Sequence, residues 1–216
     1  MMKKNGFTLA EVLISIAIVG IAAALTLPTL SLNVEKRKIG PALMKAVNTV
    51  ESASTLALQM NDARKLSEIK INGTQVSNLL SDLLPHYTKL VKIPYDGYMS
   101  FSEGYAAKDG VVLLNGGFIE DTSPNFFAIV VDTNGSRGPN TDGKDVFTLY
   151  VLQDGIVAPY GSYLAKEKGL FDDDWTTQCP LKENGNPNLG SVASCAGHIV
   201  DNGGRILYNY EGIPND

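Results

Sequence analysis

Residues 1–30 read MMKKNGFTLAEVLISIAIVGIAAALTLPTL, and the fold follows from how this stretch is understood. Lys3 and Lys4 open it, and between Glu11 and Ser31 there is no charged side chain. About 20 such residues, as a helix rising about 1.5 Å per residue, reach across the roughly 30 Å of a bilayer core. Two lysines ahead of the segment put the N-terminus in the cytoplasm and everything after it across the membrane. AAALTLPTL offers a small-x-small site, so a cleaved secretory signal is one reading. Gly6 before the apolar run and Glu11 inside its start oppose that reading.

The rest of the chain has a different texture. Of 216 residues, 44% are hydrophobic and 19% charged, enough for one ordinary core and too apolar for general disorder. The formal net charge of -5 argues against nucleic acid as the general partner. Beyond the apolar segment the sequence is punctuated by Gly, Asn, Asp and Pro, which gives an apolar stalk plus a polar-surfaced globule.

KKNGFTLAEVLISIAIVGIAAALTLP closely resembles the N-terminus of type IV pilins and of type II secretion pseudopilins. The matching order is a basic leader, Gly6, Phe7, Thr8-Leu9 and Glu11, with Gly20 and Pro28 where the family often has glycine and proline. The resemblance covers about the first 30 residues. It implies that a prepilin peptidase cuts between Gly6 and Phe7 and methylates the new amine, removing 6 of 216 residues and leaving 210. It also implies that Glu11 of an incoming subunit pairs with the Phe7 amine of a neighbour in the filament. A carboxylate in an apolar segment needs a functional partner. Within one helix, Glu11 also stands four residues from Phe7 and near the positive end of the helix dipole. The bland alternative is a carboxylate that snorkels to the membrane surface.

From Phe7 to about Asn61 the chain reads as one long helix. Its first part is apolar all round, as expected beside lipid and then beside other helices. Pro28 predicts a kink or local melting, and Gly40-Pro41 is a second soft point. Beyond it, Leu43, Val47, Val50, Ser54 and Leu58 recur at spacings of 3 and 4, one apolar face for a globular domain. VSNLLSDLLPHYTKLV predicts a short helix ended by Pro85, with Leu79, Leu80, Leu83 and Leu84 inward. YMSFSEG, GVVLLNG, FFAIVVDTNG, DVFTLYVLQDG and IVAPYG then read as strands of an antiparallel meander. The expected fold is α+β: a leader at 1–6, a transmembrane or filament-core helix at 7–30, its amphipathic continuation at 31–62, and a sheet-bearing head at 63–216. A helical spine with such a head is also what the resemblance implies.

The loop DTNGSRGPNTDGKDVF sets Asp132, Asn134, Asp142 and Asp145 among glycines and a proline. Oxygen-rich loops with glycine at sharp turns suit Ca²⁺, although EF-hand spacing and its glutamate are missing. The other reading is a rigid hairpin loop whose Asp and Asn cap their own backbone. Cys179 and Cys195 are an even pair placed outside the cytoplasm by the expected topology, which favours a disulfide over zinc. A loop of about 15 residues would gain roughly 3 kcal/mol from that link, and it resembles the C-terminal disulfide-bounded region of many pilins. CAGHIVDNGGRILYNY reads as a last strand turned at Asp-Asn-Gly-Gly, and FDDDW, residues 171–175, as a solvated turn. His86 and His198 lack a nucleophile and orienting acid at arguable spacing, and no phosphate loop, zinc-protease motif or dinucleotide fingerprint occurs. The chain reads as a substrate of enzymes.

Two function classes follow. One is a filament subunit, of a type IV pilus or of a type II secretion pseudopilus, working with related pilins, a prepilin peptidase, an inner-membrane assembly platform and membrane lipid. The other is a minor pilin whose head binds a surface, a secreted substrate or, for a DNA-uptake pilin, DNA. Either is expected as a single-pass inner-membrane protein with the head outside the cytoplasm, later on the cell surface or in a periplasmic pseudopilus. The cysteine pair leans toward pilin and the Asp/Asn/Gly loop toward pseudopilin.

Overall fold

The computed structural model describes residues 8–98, 101–120, 122–138, 140–170, 179 and 195–208, without the side chains of 27–33 and 35. The chain forms two units, Met1–Lys38 and Ile39–Asp216.

Helix α1 is Leu9–Met60, 52 residues long. Its backbone stays helical through Pro28 and Gly40-Pro41, so neither position ends it. A proline lacks the N–H for one helical bond, and at each position the backbone carries on past that missing bond. In the first unit, the 18 residues Leu9–Thr26 are predominantly apolar, long enough to cross a bilayer, and none is buried. In the second unit α1 becomes one-sided. Ile39, Leu43, Val47, Val50 and Ala57 are buried at helical spacing, and Ser54 lies among them.

That face belongs to the main core together with the inner face of a six-stranded antiparallel meander. After the small hairpin of β1 (Lys70–Ile71) and β2 (Thr74–Gln75), the sheet runs in chain order. Its strands are β3 (Val91–Pro94), β4 (Glu103–Ala106), β5 (Val112–Ile119), β6 (Phe126–Asp132), β7 (Val146–Leu152) and β8 (Val157–Pro159). Alternation decides the packing: Phe127, Ile129 and Val131 oppose Val151, Leu149 and Phe147, and all six join the main core. The opposite face near the end of β6 is covered too, by Tyr95 and Tyr98 with Val112, Leu114 and Val146. This second layer roofs the β6–β7 loop.

The expected antiparallel meander is present, with differences at its margins. Pro85 does not end a helix. It sits in the first turn of α2 (Leu84–Tyr87), where its missing N–H costs nothing, after one π-helical turn at Leu79–Leu83 capped by Asn78. The four leucines Leu79, Leu80, Leu83 and Leu84 are buried as read from the sequence. A short helix α3, Tyr163–Glu167, is capped by Ser162. The C-terminal expectation of a strand and hairpin is overturned, because Cys195–Asp201 is helix α4. Asn202-Gly203-Gly204 is its stop signal: Gly203 N–H donates to the Val200 carbonyl and Gly204 N–H to the Ile199 carbonyl, both glycines at positive φ. This cap meets α1 at Gly40, where a β-carbon would lie 1.8 Å from the Gly204 carbonyl oxygen.

Candidate functional site

Glu11 is held by the start of its own helix. The Thr8 N–H and Thr8 hydroxyl donate to Glu11 Oε2 at 2.8 and 2.7 Å, and the Glu11 N–H reaches back to Thr8 Oγ1 at 3.3 Å. This is a reciprocal capping box, which satisfies two amides that the first turn would leave without partners. The T-x-x-E spacing of Thr8 and Glu11 carries that signal in the sequence, where the carboxylate was matched only to the Phe7 nitrogen and the helix dipole. The other polar side chains of the apolar segment are similarly internal. Ser15 Oγ donates to the Glu11 carbonyl at 2.7 Å and Thr26 Oγ1 to the Ala22 carbonyl at 3.0 Å. Hydroxyls bonded back to their own helix can enter hydrocarbon without a water partner. Gly6 and Phe7 lie outside the described residues.

Lys36, Arg37 and Lys38 follow the apolar segment on the same helix, a cluster missed in the sequence reading. Cations therefore flank the segment on both sides, Lys3 and Lys4 before it and these three after it. Lysine count alone does not orient it.

In the head, the β6–β7 loop brings together three of its four expected oxygen ligands around buried backbone. Asp145 is 1% exposed. It accepts from the Thr141 N–H at 2.7 Å, the Asn140 N–H at 2.9 Å and Asn134 Nδ2 at 2.9 Å. Its carbonyl takes both the Thr133 N–H and the Thr133 hydroxyl. Asp132, fully buried at the end of β6, accepts from the Tyr95 hydroxyl at 2.7 Å and from the Asn134 N–H at 3.0 Å. Asp142 turns elsewhere, to the Tyr98 hydroxyl at 2.8 Å. Gly135, at φ +70, lets the loop come close to the Gly110 carbonyl.

Burial sets the electrostatics. It pushes the Asp132 carboxyl up to about 6, against the pull of the Tyr95 and Asn134 hydrogen bonds and with help from the Asp145 charge. Asp145 is raised for the same reason, opposed by the Thr141 and Asn140 amides. Tyr95 is pushed above the ordinary tyrosine range by burial and by Asp132, so its hydroxyl stays a donor.

These contacts bear on calcium. Asn134 Oδ1 and Asn140 Oδ1 are buried without a donor among the described residues, and a cation would use such oxygens. The carboxylates, however, spend their lone pairs on the loop's own N–H groups. Among the described residues no group of three His, Cys, Asp or Glu side chains converges for a metal. The loop fits a self-capped hairpin better than a calcium cage. Tyr95 and Tyr98 were not foreseen as carboxylate partners, since they lie 37 and 44 residues away in sequence.

Cys179 and Cys195 form a disulfide across a separation of 16 residues. It ties Cys179 to the first turn of α4, and both sulfurs are buried in the main core. The FDDDW stretch lies outside the described residues. His198, on α4, is fully buried; its Nε2 accepts the Leu207 N–H at 3.2 Å and its ring meets Tyr208 edge-on. Tyr208 in turn donates its hydroxyl to the Gly143 carbonyl, which connects the C-terminal segment to the β6–β7 loop.

No curated protein and no solved structure matches this chain. Residues 1–27 match the family model described as the prokaryotic N-terminal methylation motif. With the unburied apolar helical segment Leu9–Thr26 inside it, that motif makes the N-terminus a prepilin-type signal of the type IV pilin and pseudopilin kind.

Proposed function

We propose that the chain is a structural subunit of a type IV pilus-like filament. A prepilin peptidase cuts between Gly6 and Phe7 and methylates the Phe7 amine. The α1 segment then holds the subunit in the inner membrane, N-terminus in the cytoplasm and head outside, until the assembly platform extracts it. The observation that carries this reading is the coincidence of two features in one stretch: the methylation motif at residues 1–27 contains the predominantly apolar helical segment Leu9–Thr26, none of which is buried. Such a surface is stable only in lipid or against other helices. Glu11 supplies the one charge in that surface, and pairing with the Phe7 amine of a neighbour would neutralise it on assembly.

The pilus is favoured over a type II secretion pseudopilus by two features of the head. The C-terminal cysteines are joined, and the Asp/Asn loop caps its own backbone, with no three carboxylates converging among the described residues. The test is co-expression with a prepilin peptidase and an assembly platform, followed by shearing and mass spectrometry. The reading expects a sheared filament whose main component lacks residues 1–6 and carries one methyl group on Phe7. A processed chain that stays in the membrane fraction and supports secretion instead would move the assignment to a pseudopilus.

A further inference from the structure

The head carries a further surface feature beyond the β6–β7 loop. Between the turn after α1, the β5–β6 turn, the β7–β8 turn and the end of α3 lies an open cleft of about 510 Å³. That is within the range of small-molecule sites, roughly 300–1,000 Å³. Arg64, Lys65 and Lys168 line it, and none of the three has an ion-pair partner among the described residues. One carboxylate, Asp154, faces these cations, and its Oδ1 already takes the Ile156 N–H.

The remaining lining is donor-rich and partly flat. Gln153 is fixed at both ends of its residue: its backbone carbonyl accepts the Leu66 N–H and its Oε1 accepts the Ser67 N–H. Its Nε2 is buried and has no acceptor among the described residues. Asn125 adds a second amide beside it. The Phe118 ring is anchored by Phe127 at 4.7 Å between centroids and remains half-buried, so it is a rigid apolar wall rather than a core residue.

We propose that this cleft binds an acidic sugar, a carboxylate-bearing pyranose of a polysaccharide. The cations meet the carboxylate, the Asn125 amide meets ring hydroxyls, and Phe118 with Pro124 takes the C–H face of the ring. The cleft is open at the surface, which admits an internal residue of a polymer as readily as a free end. Among the described lining residues, three cations face one carboxylate, so the cleft is locally positive in a protein of formal charge -5.

The experiment is calorimetric titration of the full chain in detergent micelles with a galacturonic acid trisaccharide. Glucose oligomers, inorganic phosphate and a short single-stranded oligonucleotide serve as comparison arms. The trisaccharide should bind saturably, and the double substitution Lys65→Glu, Lys168→Glu should weaken it by at least ten-fold while leaving the melting temperature in place. Asn125→Ala should weaken the trisaccharide further than it weakens phosphate. Absence of saturable binding, an unchanged affinity in the double variant, or equal affinity for phosphate or the oligonucleotide would each overturn the proposal. Because the readout is binding by a monomer, it is independent of whether filaments form.

Discussion

Replacing Asp132 by Asn should stabilise the head at neutral pH. Asp132 is fully buried, and its carboxyl titrates at about 6 instead of the ordinary 3.8. A folded-state value above the unfolded one means that the folded chain holds the proton more tightly. The carboxyl's contribution is therefore intact below 3.8 and is lost as pH rises through 6. The difference corresponds to about 3 kcal/mol at pH 7 and above, at 1.36 kcal/mol per pH unit. Asn keeps the oxygen that accepts the Asn134 N–H, and its Nδ2 can donate to the Tyr95 hydroxyl, which rotates to accept. The charge is removed while the shape and most hydrogen bonds remain. Urea unfolding followed by circular dichroism, at intervals from pH 4 to 8, should show the variant and the parent equal near pH 4. The variant should then pull ahead through pH 6 to a plateau of up to about 3 kcal/mol, roughly 6–12 °C in melting temperature for a unit of this size. A variant less stable than the parent at pH 7.5, or a difference that does not change with pH, would falsify the reasoning and give the Tyr95 bond to the charged carboxylate the larger share.

His198 should act with the opposite sign. Burial lowers its titration to about 4 from 6.5, so its contribution is complete above 6.5 and falls away, by about 3 kcal/mol, as pH drops toward 4. The two slopes offset each other in the parent, and the Asp132→Asn variant should show the full acid loss; a parent and variant with the same acid limb would refute this. Cys179→Ser should cost roughly 3 kcal/mol, the loop-entropy value for a link spanning about 15 residues, read as the drop in urea stability against the oxidised parent. Gly40→Ala should lose about 1–3 kcal/mol because its β-carbon meets the Gly204 carbonyl, whereas Gly20→Ala, with open space around it, should leave the stability of the head unchanged. Glu11→Val should still be cleaved and methylated, as mass spectrometry would report, yet should fail to enter sheared filaments; normal incorporation would remove the charge-pairing role.

Periodicity made the architecture legible where one face decides burial. Leu43, Val47 and Val50 at helical spacing, and Phe127, Ile129 and Val131 at strand spacing, each place one side in a core, and the structure uses both as read. Alternation failed where a strand is short or a cap is decisive. β3 carries only four residues, of which Val91 is exposed, too few to establish a period. Cys195–Asp201 lies in the stretch that reads as a last strand turned at Asp-Asn-Gly-Gly, and it is a helix. Packing on the β8 edge, where Gly197 N–H donates to the Tyr160 carbonyl, and the double-glycine stop decide for helix. The β6–β7 loop was legible as a rigid oxygen-rich turn. Its roof of Tyr95 and Tyr98 was not, because contacts across 37 and 44 residues leave no local pattern.

Glu11 shows how a single residue can satisfy two requirements at different times. In the uncleaved chain the nitrogen before Thr8 is an ordinary amide, and the Glu11 carboxylate closes the capping box with the Thr8 N–H and hydroxyl. Cleavage after Gly6, on the proposed reading, turns the nitrogen of Phe7 into an ammonium one residue away from that same box. The carboxylate then has two claimants, a local amide and a charged amine. The bond to the amide has one ionised partner and the bond to the amine has two, so attraction between opposite charges lets a neighbour's amine compete for the carboxylate. Capping keeps the helix start formed before assembly, and releasing the carboxylate to an intermolecular partner leaves the Glu11 N–H bonded to Thr8 Oγ1, so one half of the box stays closed. Thr8→Val separates the two roles: it removes the hydroxyl claim while leaving Glu11 for pairing. It should fray the first turn of α1, measured by amide hydrogen exchange in micelles, while filaments still form. Loss of filaments in Thr8→Val with an intact first turn would mean that the threonine, rather than the carboxylate it holds, is what the neighbour recognises.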